Sequence, residues 1–343
     1  MTARNLSTQS DCDCQGCYSK KRGGRECHGS NQQTRSEIFY QNRSVHCNIR
    51  MKYLVVKGWL GFGDRLESLK MAVYFAIEHK LQIYVDWTDS IWSHGSETFY
   101  TYFKLVNIPV LNSLDDIPAD ATVYPSYWKD HIKEPLTQEL IEKQKELDLN
   151  IGFLNAQTKT DADVIVFSSI GNRTIFADSA FFTNVFRVIN PEILAGIQER
   201  SKQVNLPQTV GIHIRGTDRL RNTTARDKGI QYMAVNAMMN GAFSGRSIIV
   251  VSDDAGSIEV WKRFFPQTIV FSKLSLKNTL KSGIHNAKAE DLSSSKNDLN
   301  VEMLTDFFTL ARCERILSTC KDSRFANEAR RLHPQINLIL GNG

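Results

Sequence analysis

No stretch of the chain approaches the ~20 consecutive apolar residues that a membrane-spanning helix needs. The best runs, "SIIVV" and "AVYFAI", have the size of a strand or of a buried helical turn. The N-terminus also lacks the apolar centre of a secretory signal, so a cytoplasmic protein is expected. In that setting the four Asn-x-Ser/Thr matches, at Asn5, Asn42, Asn172 and Asn222, are not read as glycan acceptors. An excess of one charge sign is missing too: 42 Lys and Arg stand among 37 Asp and Glu, for a net +5. That mild, scattered surplus favours anionic small partners and excludes the basic stripe of a nucleic-acid-binding protein.

Cysteine is scarce outside the first 47 residues, which hold five of the seven. Cys12, Cys14, Cys17 and Cys27, with His28, have the types of soft metal ligands, but the segment around them is polar and shows no hydrophobic period. Residues 1–50 are therefore expected to be a disordered or translated-upstream leader, with Met51 a sensible alternative start. Cys313 and Cys320 are expected as buried thiols, since cytosolic disulfides are uncommon.

What the 343 residues do contain is an alternation of strand-like and helix-like segments, enough for two domains. "KYLVV", a glycine-punctuated "KGWLGFGDR", the helix-periodic "LESLKMAVYFAIEHK" and the strand-like "LQIYVDW" make a βαβ unit and imply a parallel sheet. A helix "TQELIEKQKELD", a strand "DVIVFSS" and a helix "PEILAGIQERSKQV" follow. The second half repeats the rhythm through "TVGIHI", "IQYMAVNAMMN", "SIIVVS", "SIEVWKRFF", "TIVF", "LNVEMLTDFFTLARC", "RILST" and "SRFANEARRL". The fold class is α/β, with a boundary near Asn190-Pro191 dividing residues 51–190 from 191–343.

Open α/β sheets bind ligands beyond the carboxyl ends of their strands, and three clusters fall there. In "VGIHIRGTDRL", His213 and Arg215 alternate along one strand and so leave by one face, with Gly216 and Asp218 just beyond. Arg215 at the strand exit suits bidentate grip of a diphosphate; the alternative is an internal Arg215–Asp218 pair. Ser252, Asp253 and Asp254 end "SIIVVS"; they serve either ribose hydroxyls or a metal, or cap the next helix. Ser323, after "RILST", offers either an anion site at the start of a helix or an ordinary N-cap. Gly61, Phe62 and Gly63 form a loop that either brings backbone near a ligand between the domains or makes a tight turn; the dinucleotide pattern fails because Leu66 stands at the third glycine. The Asp161-x-Asp163 pair precedes its strand and is discounted as a metal motif, and no metal site is expected. His285 lies in a loop, either near a ligand or simply exposed.

These segments, in order, resemble the α-1,6-fucosyltransferase family, bacterial nodulation-factor and eukaryotic core enzymes together. The likeness runs from about Met51 to Leu332 and rests on four stretches: "GFGDRLESLKMAVYFAIEHKLQIYVDW", "VGIHIRGTDRL", "VVSDDAGSIEVWKRFFP" with "SGIHNA", and "LTDFFTLARCERILSTCKDSRFANEA". The resemblance implies a GT-B-like fold of two Rossmann-like lobes, with the donor site in the C-terminal lobe and the acceptor side in the N-terminal one. It implies inverting, metal-independent transfer of fucose from GDP-fucose to a GlcNAc-containing oligosaccharide. Carried over, Arg215 grips the β-phosphate, His213 and Asp306 meet the guanosine, Asp253, Asp254 and His285 line the donor pocket, and Ser323, with Arg324 and Phe325 beside it, binds diphosphate oxygen. Three positions depart from the family pattern. Its second arginine is Gly216 here, with Arg219 or Arg221 as possible substitutes; its acidic candidate base falls on Thr223, leaving Asp218 or Asp227; and a small hydroxyl residue is replaced by Ala326. Two alternatives stay open: a catalytically silent GDP-sugar binder, and a transferase of another GDP-linked sugar.

Overall fold

The structure, a computed structural model, describes residues 52–149, 161–168, 180–216, 223–277 and 288–341. The expected leader, Asp218, Arg219, Arg221 and His285 lie outside these residues. Residues 49–343 form one compact unit.

The first half supplies strands β1 (Tyr53–Lys57), β2 (Gln82–Asp86), β3 (Phe103–Leu105), β4 (Val123–Tyr124), β5 (Val164–Ser168) and β6 (Phe186–Val188). Its helices are α1 (Phe62–Glu78), α2 (Phe99–Tyr102), α3 (Gln138–Glu142) and α4 (Ala180–Val185). The rest of the chain adds β7 (Thr209–Ile214), β8 (Ser247–Ser252), β9 (Ile269–Val270) and β10 (Arg315–Ser318). Helices α5 (Pro191–Gln203), α6 (Thr223–Met239), α7 (Ala255–Lys262), α8 (Lys296–Ala311), α9 (Arg324–Leu332) and α10 (Ile336–Ile339) accompany them.

Two four-stranded sheets result, ordered β2-β1-β5-β4 and β10-β7-β8-β9. Every pairing in both is parallel. Central strands β1, β5 and β7 are buried at every position, as the unbroken apolar runs require when helices cover both faces. A short antiparallel pair, β3 with β6, bridges residues on either side of the long excursion between them. No helix among the described residues is long and apolar enough to cross a membrane.

Local chemistry sets the helix ends. Asn190 accepts from the amides of Glu192 and Ile193 at 3.0 and 3.1 Å, and Pro191 supplies a first helical residue that needs no N–H partner. The expected helix over "TQELIEKQKELD" is cut to α3, and the chain continues as turns, with Leu140, Ile141 and Leu147 packed against apolar neighbours.

The largest core joins the halves. Phe62 packs edge-on to Phe307 at 4.8 Å between ring centres and stacks on Phe103 at 5.6 Å. Trp87, Trp92, Phe308 and Ala326 belong to the same cluster. Phe62 and Gly63, read from sequence as a loop, are instead the first two residues of α1, with Gly61 as the N-cap. The reason is packing. A Cβ on Gly63 would sit 2.5 Å from the carbonyl carbon of Arg324, so the absent side chain lets α1 abut the backbone at the start of α9. Buried Lys70 then pairs with buried Glu328, and Arg324 with Asp64 and Glu67, across the same two helices.

Candidate functional site

Strand β7 ends at Ile214, between β10 and β8, and the predicted residues gather where it stops. His213, 8% exposed, stacks on Phe325 with 5.2 Å between ring centres and 25° between planes. Its Nδ1 lies 3.1 Å from the hydroxyl of Ser318, at the end of β10, and 3.4 Å from that of Ser323. Burial, reinforced by the nearby positive charges of Arg215 and Arg330, pushes the imidazole down to about 3. At neutral pH His213 is therefore an uncharged member of a cationic neighbourhood.

Arg215 follows half-buried, its backbone N–H donating to Thr319 Oγ1 at 3.3 Å. The next amide, that of Gly216, donates to Asp253 Oδ1 at 3.1 Å. A Cβ on Gly216 would come within 2.2 Å of Asp254 Cβ. Asp254 thus fills the space that a side chain at position 216 would enter. Asp254 itself caps α7, accepting from the Ser257 amide at 2.9 Å, and pairs with Arg226 at 2.8 Å. Of its two sequence readings, the helix cap describes its geometry.

Ser323 is fully buried and caps α9, its Oγ accepting from Ala326 N–H at 3.3 Å. Arg324 is engaged with α1 through Asp64 and Glu67. Asp306 is engaged by other residues. Its carboxylate is buried against Arg200 at 2.6 Å and accepts from Ser272 Oγ at 2.6 Å, and Arg200 lies over the Phe271 ring. Burial raises its pKa above the usual carboxylate range despite Arg200. The structure therefore joins His213, Arg215, Gly216, Asp253, Ser323 and Phe325 into one cluster, while the polar partners of Asp306 are Arg200 and Ser272.

Sequence reasoning missed the supporting residues. Ser318 and Thr319 orient His213 and Arg215, and their one signal is a pair of hydroxyl residues at the end of a strand. Arg226, which holds Asp254 and also pairs with Asp227 at 3.0 Å, had no signal at all. Asp163, of the discounted Asp-x-Asp pair, stands just before β5 and accepts from the amide and hydroxyl of Thr122 at 2.8 and 2.7 Å. Among the described residues no three His, Cys, Asp or Glu side chains gather as metal ligands would.

The mixed α/β fold with two parallel sheets is similar to that of solved fucosyltransferases. The backbone is similar to that of NodZ alpha-1,6-fucosyltransferase soaked with GDP-fucose, with a TM-score of 0.60 and 18% identity over 84% of this chain and 93% of that one. Fucosyltransferase NodZ from Bradyrhizobium gives 0.60 and 19% over 81% and 91%. POFUT1 in its apo form gives 0.51 and 11% over 83% and 95%. No family model and no curated protein sequence matches the chain. At such identities the likeness is one of fold.

Proposed function

We propose that the chain is a fucosyltransferase that takes fucose from GDP-fucose to a GlcNAc-containing oligosaccharide. The carrying observation is Arg215, which leaves the end of β7 beside an uncharged His213 while Thr319 and Asp253 hold the amides of residues 215 and 216. A guanidinium hung from a pinned backbone can stabilise charge that develops on a departing diphosphate without reorganising first. In this reading the bond from the fucosyl anomeric carbon to the GDP oxygen breaks as the acceptor oxygen attacks from the opposite face. The electron pair leaves with GDP, whose new charge Arg215 neutralises in place of a metal ion. Asp218 takes the acceptor proton. The lobe built on β7 to β10 receives the donor and the lobe built on β1 to β5 the acceptor. A NodZ structure soaked with GDP-fucose supports the choice of donor.

Incubation with a panel of nucleotide sugars tests this: GDP-fucose is consumed, and Arg215→Ala lowers transfer at least 100-fold with the fold unchanged. Turnover of UDP- or CMP-sugars with GDP-fucose ignored, or near-normal activity of Arg215→Ala, refutes it. One observation favours a second reading, a silent GDP-sugar binder. Gly216, packed on Asp254, offers no second arginine for the leaving group. Tight GDP binding without transfer to a chitooligosaccharide or N-glycan core would establish that reading.

A further inference from the structure

Lys296, the first residue of α8, carries an ammonium group that the fold buries and leaves alone. It is 5% exposed, and among the described residues it makes no hydrogen bond or ion pair. Its neighbours on the helix turn toward the first half of the chain. Asn300 Nδ2 donates to the Trp92 carbonyl at 2.8 Å and to Tyr102 Oη at 3.3 Å, and Tyr102 Oη donates to Asn297 Oδ1 at 3.0 Å. Lys296 is therefore enclosed where α8 begins, against the segment that joins β2 to α2.

The acids of that segment are already taken. Asp89 accepts from both Nη atoms of Arg65, at 2.9 and 2.7 Å. Glu97 accepts from Ser93 Oγ at 3.2 Å and from the His94 amide at 2.9 Å. Burial, with Arg65 nearby, pushes the Lys296 amine down to about 8, so at pH 7 most of it still carries its proton. A buried charge with no partner is costly and uncommon.

The start of α8 offers further donors at the same place. Ser295 caps the helix by accepting from the Asp298 amide at 3.1 Å. The amides of Lys296 and Asn297 find no acceptor among the described residues. Side chains on a helix tilt toward its amino end, so the Lys296 ammonium is directed to the end at which these two N–H groups point. A helix of 16 residues adds the partial positive charge of its dipole there.

We infer that the amino end of α8 is an anion site that holds a compact monovalent ion of the halide class, with the Lys296 ammonium and the amides of Lys296 and Asn297 as its donors. The class follows from burial and charge. An amine 5% exposed admits an ion little larger than a water molecule and excludes a nucleotide or a sugar ester. With Asp89 and Glu97 nearby, a single ammonium favours one negative charge over two. Bound there, the ion neutralises a buried cation and so stabilises the folded chain.

The test is urea unfolding of the full chain at pH 7 in sodium gluconate, with chloride replacing gluconate at constant ionic strength. Expected is a saturable rise in the unfolding midpoint with chloride, as for any ligand that binds only the folded state. Bromide should act likewise, and acetate and sulfate should not. Lys296→Met should be the more stable protein in gluconate, and its response to chloride should be at least tenfold weaker. Above pH 8 the amine of the native chain loses its proton, so its response to chloride should fade. Crystals of the native chain soaked in bromide should show an anomalous peak beside the Lys296 amine, a readout that needs no variant. No response to chloride, an equal response to acetate or sulfate, a response that Lys296→Met keeps, or the absence of that bromide peak overturns the inference. None of these outcomes bears on fucosyl transfer, which is measured separately.

Discussion

His213 should make the stability of this protein depend on pH in a way that a single substitution removes. Its folded-state pKa is about 3 against an ordinary value of 6.5. Between those values the unfolded chain binds more protons than the folded one, so stability is full above pH 6.5 and is lost as the pH falls toward 3. Each unit below 6.5 costs ~1.4 kcal/mol, so going from pH 7 to pH 5 removes about 2 kcal/mol through this one imidazole. With a denaturant slope of about 3 kcal/mol/M, the urea midpoint moves by ~0.7 M. The assay compares urea unfolding at pH 7, 6 and 5 for the native chain and His213→Gln, which keeps a polar group within reach of Ser318. The native curve should drop more steeply by about that amount. Parallel losses in the two proteins would show that His213 is readily protonated where it sits. The picture of an uncharged ring beside Arg215 would then be wrong.

Gly216→Ala forces a Cβ to within 2.2 Å of Asp254 Cβ, and overpacking of this kind costs ~1–3 kcal/mol; an unchanged melting temperature would refute the contact. Lys296, 5% exposed, makes no hydrogen bond or ion pair among the described residues, and burial, with Arg65 nearby, pushes its amine down to about 8. The unfolded chain binds the extra proton between pH 8 and 10.5, so stability rises with pH across that window. Lys296→Met should raise stability by ~1 kcal/mol or more at pH 7 and flatten that rise in urea titrations; a loss of stability would show an unseen partner. Glu328→Gln removes the carboxylate that meets Lys70 in the α1–α9 junction, at a cost of about 3 kcal/mol, whereas Lys70→Met with Glu328→Leu should recover most of it. Equal stability of the single and double variants would refute the pairing.

Much of this architecture was legible in the sequence because it rests on periodicity. "TVGIHI" and "SIIVVS" are β7 and β8 residue for residue, and the alternation of strands with helices implied parallel sheets. The two- and three-residue strands β3, β4 and β6 left no pattern, because so short a strand is defined by its partner and not by its own period. The site divides in the same way. His213, Arg215 and Asp253 could be placed from their position at strand ends. The pairings that decide what each acid does join residues far apart in sequence: Arg200 with Asp306, Arg226 with Asp254, Lys70 with Glu328. Nothing local marks these. Gly63, which the sequence left open to a ligand approach or a tight turn, abuts Arg324 on α9, a neighbour equally far away in sequence.

The absence of a side chain at position 216 is tied to three other residues. Asp254 occupies the space next to Gly216, and it is held there by the amide of Ser257 and by Arg226. An arginine restored at 216 would meet Asp254 at its Cβ before its guanidinium reached any ligand. To fit, it would have to push Asp254 off the start of α7 and leave Arg226 with Asp227 alone. A second phosphate-directed arginine at this strand end therefore requires a smaller residue at 254 as well. Gly216→Arg alone should lose stability without gaining affinity for GDP, while Gly216→Arg with Asp254→Gly relieves the clash. If the single variant binds GDP more tightly with its stability intact, the loop has room that this packing denies it.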